Sequence, residues 1–99
     1  MDFKVIWSER ARCDLREIVS FIAHDNPSAA AKLGNELIDH TQMLSSFPFI
    51  GPKYPKGAAG TERMIVCRNY LIFYTVDETM KQVDVQTVRH GARERPKPR

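Results

Sequence analysis

Ninety-nine residues, 42% of them hydrophobic, suffice for one domain with one core, and the two cysteines, Cys13 and Cys67, stand far apart in no Cys-x-x-Cys spacing, so neither a disulfide framework nor a metal or cofactor is expected. No basic segment followed by an apolar stretch opens the chain, and its longest largely apolar run, Ile18 to Ala23, is far too short to span a membrane; a cytoplasmic protein is expected. The net charge of +3 is unevenly spread, since residues 1–52 carry five Lys/Arg against seven Asp/Glu and residues 53–99 carry ten against five, or −2 and +5, which points the second half towards an anionic partner, nucleic acid or acidic protein.

Phe3 to Trp7 alternates around Lys4 and predicts a short strand, with Trp7 as a core anchor and Ser8 as the cap of the helix that follows. Ala11, Leu15, Ile18, Val19 and Ile22 recur at three and four, one apolar stripe of an amphipathic helix whose polar face carries Arg10, Asp14, Arg16, Glu17 and Ser20. His24-Asp25-Asn26-Pro27 ends that helix and starts a second, with Asn26 as cap and Pro27 at the first position. The second helix runs to about Ser46 on the stripe Ala30, Leu33, Leu37, Ile38, Thr41 and Leu44. Ala29, Ala30 and Ala31 are expected to let the two helices approach closely, and the short connection makes them an antiparallel hairpin. His24 and His40 lack a partner pattern and read as structural or solvated.

Phe47 to Pro52 breaks the second helix, and Lys53 to Thr61, rich in Gly, Pro and Lys, is an irregular loop. Three strands follow, Glu62 to Cys67, Tyr70 to Val76 and Gln82 to Val88, the first two joined by the two-residue turn Arg68-Asn69. That turn places Cys67 opposite Tyr70, Ile65 opposite Ile72 and Arg63 opposite Tyr74. Met64, Val66, Leu71 and Phe73 then share one face, and Arg63, Ile65, Cys67, Ile72 and Tyr74 the other. Neither face is polar. One packs on the helical hairpin, and the other is expected to remain an apolar surface too large for a lone chain. Gly91 closes the last strand, and residues 93–99 form a basic tail. The order is β-α-α-β-β-β, an α+β domain with a helical hairpin on one face of an antiparallel sheet.

Several motifs in this order resemble the RelE/ParE toxin family. They are Trp7-Ser8 with Ala11, Asp14-Leu15 and Ile18; Asp25-Asn26-Pro27 with Ala29 and Ala30; Phe47-Pro48 with Gly51; and Arg63, Tyr70, Phe73-Tyr74, Val88 and His90-Gly91-Ala92-Arg93. The resemblance spans nearly the whole chain. It implies the toxin of a type II toxin–antitoxin pair, held silent by a cognate antitoxin in a hetero-oligomer, and acting either on DNA gyrase (ParE-like) or as a ribosome-dependent messenger-RNA endoribonuclease (RelE-like).

RNA cleavage through the 2′-hydroxyl needs a proton acceptor, cations for the phosphorane and an acid for the leaving oxygen. Arg63, His90 and Arg93, with Tyr74, Lys53, Tyr54 and Lys56, are candidate parts. The hairpin register sets Arg63 four residues from the His90 end, roughly 13 Å at ~3.3 Å per residue, too far to share one phosphate. RNA-cleaving relatives usually carry an arginine directly after the tyrosine that opens the middle strand, and Leu71 stands there; near the C-terminus only His90 could replace their tyrosine or histidine. The gyrase reading is therefore favoured, with no catalytic residue expected. The target-binding set is Arg63, Tyr74, Arg89, His90, Arg93 and Arg95, although Arg63 could equally pair with Glu62 or Asp84 and Tyr74 could be core. The antitoxin is expected on Leu15, Ile22, Leu37, Met64, Val66, Leu71 and Phe73, as a helix in the groove beside the hairpin or as a strand on a sheet edge.

Overall fold

A computed structural model describes residues 2–54 and 61–91. The chain runs β1 (Lys4–Trp7), α1 (Glu9–Asp25), α2 (Pro27–Ser46), β2 (Arg63–Cys67), β3 (Tyr70–Asp77) and β4 (Gln82–His90). The basic tail at 93–99 and most of the Gly-Pro-Lys loop lie outside the described residues.

Both predicted caps form. The Ser8 hydroxyl accepts the Ala11 N–H at 3.0 Å, and the Asn26 side chain accepts the Ala29 N–H at the same distance, each satisfying one of the amides that a helix start leaves open. A single residue connects the helices, since Asn26 both ends α1, through its N–H to the Ile22 carbonyl, and begins α2. Close approach also comes from a different residue. Ala30 is buried but Ala29 and Ala31 are exposed, whereas a Cβ on buried Gly34 would stand 3.2 Å from Cγ2 of Val19.

The sheet order is β1-β4-β3-β2. The last three strands are antiparallel, and β2 and β3 pair in the predicted register, with Arg63 opposite Tyr74 and Cys67 opposite Tyr70. β1 lies at the edge, parallel to β4, so the sheet is mixed. It covers only Gln82 to Val85. Beyond that point α1 closes the edge of β4. The Ser8 N–H and hydroxyl donate to the carbonyls of Val85 and Gln86, and Asp14 Oδ2 accepts the Val88 N–H at 3.1 Å and the Thr87 hydroxyl. A bulge lies where Phe73 pairs with Thr87 but Tyr74 with Val85, leaving Gln86 over. The extra residue changes the phase of β4, so Val83, Val85 and Val88 all reach the core.

That core lies between the helices and one sheet face. Leu33, Leu37 and Leu44 of α2 meet Ile65, Cys67, Ile72 and Tyr74, and each fully buried aliphatic side chain stabilises the fold by roughly 1.5–3 kcal/mol. Trp7 is half-buried against it, its Nε1–H donating to Thr41 Oγ1 at 3.2 Å. Ile38, counted in the α2 stripe, is instead exposed; it sits one residue beyond Leu37, about 100° round the helix.

Candidate functional site

Arg63 and Tyr74 stand opposite each other at one end of the β2–β3 pair. Tyr74, expected to contact a target, has no exposed surface and so cannot meet a partner. Its hydroxyl accepts the Gly51 N–H at 3.0 Å, and burial pushes its pKa up, which suits an anchor and not a base. Arg63 pairs with neither Glu62 nor Asp84. Its Nη1 donates to the carbonyls of Gly51 at 2.6 Å and Phe49 at 3.4 Å, and the guanidinium lies 5.0 Å from the Phe49 ring centroid. These two residues therefore fasten the Phe47–Gly51 turn to the sheet. Lys53 pairs with Arg63 as an isolated antiparallel bridge, Tyr54 places its ring 4.9 Å from that of Phe73, and Lys56 lies outside the described residues.

At the other end, Tyr70 pairs with His90, their rings edge to face at 5.2 Å. Two adjoining grooves open here, of about 750 and 640 Å³, sharing Ile22 and Tyr70. The larger runs between α1 and the end of β4, over Ile18, Ile22 and Val88; Phe21, 82% exposed, stands on its rim. Arg10 and Arg89 border it with Asp14 and Glu17, while Lys32 and Arg68 border the smaller. Arg68 is itself held in a two-pronged ion pair by Glu36 of α2, whose carboxyl is lowered below its ordinary value mainly by that hydrogen bond.

The expected antitoxin surface is divided by this arrangement. Ile22 lies in both grooves and Leu15 is half-buried against the core, but Leu37 is wholly enclosed and presents nothing to a partner. On the outer sheet face, predicted to be bare, Leu71 and Phe73 are buried and Met64 is half-buried; only Val66 is largely open, at 51%. Phe21 and Tyr70 are groove residues that the periodicity missed. Phe21 lies just off the stripe, an apolar side chain on a polar flank, which was the available signal.

Arg63 and His90 belong to opposite ends of the strand ladder, four residues apart along β3, so they do not converge on one phosphate. Arg93 and Arg95 lie outside the described residues. Among the described residues no group of three His, Cys, Asp or Glu could hold a metal ion, Cys13 and Cys67 are free thiols, and no helix is long and apolar enough to cross a membrane.

The fold has solved counterparts. A chain of the chromosomal ParDE toxin–antitoxin system from P. aeruginosa superposes with a TM-score of 0.75 at 15% identity, over 89% of this chain and 95% of that one. A chain of the toxin–antitoxin complex RelBE2 from Mycobacterium tuberculosis gives 0.65 at 18% identity, over 91% and 99%. A comparison with curated protein sequences finds no match. The family model for the ParE toxin of type II toxin–antitoxin systems, parDE, matches residues 5–95. With that match covering nearly all of a β-α-α-β-β-β domain, the chain belongs to the ParE toxin family.

Proposed function

We propose that the protein is a cytoplasmic, ParE-like poison of DNA gyrase, kept silent by a cognate antitoxin. The match to the ParE toxin family over residues 5–95 carries the reading. The use of Arg63 and Tyr74 as fold anchors, at the end of the β2–β3 pair away from His90, supports it further, because it turns both residues from RNA chemistry to holding the Gly51 backbone. The antitoxin lays an amphipathic acidic segment into the adjoining grooves, its apolar side on Ile18, Ile22, Tyr70 and Val88 and its carboxylates towards Arg10, Arg89, Lys32 and Arg68. The P. aeruginosa structure, a ParDE system, supports such a partner.

A supercoiling assay with purified gyrase decides. Excess toxin is expected to abolish supercoiling and accumulate cleaved DNA. Unaltered supercoiling, together with new codon-specific messenger ends in primer extension after induction, would replace this reading with the ribonuclease one.

A further inference from the structure

The Phe47–Gly51 turn is exposed yet built to stay in one shape. Phe47, Phe49 and Ile50 are 60%, 45% and 53% exposed, while Pro48 between them is buried. The Ile50 N–H returns to the Phe47 carbonyl at 3.2 Å, the Gly51 N–H is held by Tyr74, and Arg63 grips the carbonyls on both sides of Ile50. A rigid projection of large apolar side chains is what an interface centre needs, since little side-chain or backbone freedom is lost on docking.

Cations surround it. Arg63 lies over the Phe49 ring, Phe49 meets Phe3 edge to face at 6.4 Å, and Lys81 Nζ lies 5.5 Å over Phe3, with exposed Met80 beside it in the chain. Among the described residues the ion pairs are Arg10–Asp14 and Arg68–Glu36, so Arg63, Lys53 and Lys81 have no carboxylate against them. The charge therefore calls for an acidic rim on whatever docks. Arg63 and Lys81 already cover faces of the Phe49 and Phe3 rings, which disfavours base stacking and hence a nucleic-acid strand. A second copy docking the same end would bring like charges together. The grooves assigned to the antitoxin lie at the opposite end of the strands.

We infer that the Phe47–Ile50 projection is the surface by which the toxin grips its target protein, at an apolar socket with an acidic rim, separately from the antitoxin surface. This rests on the toxin reading above. Growth arrest on induction without antitoxin is a suitable readout, because it does not depend on which target is poisoned. Ile50→Asp and Phe47→Ala alter exposed side chains and are expected to keep the parental melting temperature and to bind purified antitoxin within roughly twofold of the parent, while the inducer needed for arrest rises about tenfold or more, as for one lost interface hot spot. Arrest at parental inducer levels overturns the inference. So does a parallel loss of antitoxin affinity, which would give the projection to the antitoxin, or a loss of self-association or of labelled single-stranded oligonucleotide binding in the variants. If the parent chain arrests nothing, the toxin reading itself fails, an outcome distinct from failure of the variants alone to change.

Discussion

The Gly51 amide and the Tyr74 hydroxyl, 23 positions apart in sequence, meet at 3.0 Å inside the protein and join the end of the helical half to the sheet. The contact admits nothing larger than glycine. A Cβ at residue 51 would stand 2.6 Å from the Met64 carbonyl oxygen and 2.8 Å from the Tyr74 hydroxyl. Gly51→Ala is expected to destabilise by about 1–3 kcal/mol, the usual cost of overpacking, and at 4–8 °C per kcal/mol the loss is readily seen in thermal unfolding.

Tyr74→Phe removes the acceptor and leaves the Gly51 N–H buried and unpaired, at a cost of about 1–3 kcal/mol near neutral pH. The same side chain gives an alkaline signature. Burial raises its pKa above the ordinary 10.0, so in the unfolded chain the phenol ionises first. The stabilisation is complete below about pH 10 and declines as pH rises through the higher folded value. Melting temperatures between pH 8 and 11 should fall more steeply for the parent than for Tyr74→Phe.

Asp14 does for β4 what a further strand would do. Its carboxylate accepts the Val88 N–H and the Thr87 hydroxyl where β1 no longer runs alongside. Asp14→Ala should therefore cost about 1–3 kcal/mol and speed amide hydrogen exchange at Val88. Unchanged exchange there would show that the edge is closed by other means.

Arg68 occupies the left-handed region, with φ of 56°, in the β2–β3 turn, and its guanidinium is paired with Glu36. Arg68→Ala loses the pair and keeps the backbone strain, whereas Arg68→Gly loses the pair and relieves it, so the glycine variant should melt higher than the alanine one. The carboxyl of Glu36 is lowered from 4.5, so the ion pair contributes above that pH and is lost as pH falls through the folded value. The gap between parent and Arg68→Ala should close in that acidic range.

The element order, both helix caps, the Arg68-Asn69 turn and the β2–β3 register were legible in the sequence because each is set by neighbours a few residues apart: a cap oxygen and an amide three positions on, a period of two or of three to four, a two-residue turn that fixes which residues oppose. Nothing local told whether Tyr74 would face a partner or Gly51, since Phe-Tyr in a strand fits either. The grooves were legible only in part, through Ile22 on the α1 stripe. Tyr70 and Phe21 become groove residues once α1 lies along β4.

What the chain determined by itself is thus a set of capped, patterned segments and their order. The tertiary structure decided that β1 runs parallel to β4 at the edge, that Gln86 bulges so that three valines reach one core, and that Leu71, Phe73 and Tyr74 are enclosed. Those outcomes depend on contacts between residues tens of positions apart. A strand's alternation states which residues share a face, but only the neighbours brought by folding fix which faces and edges remain open.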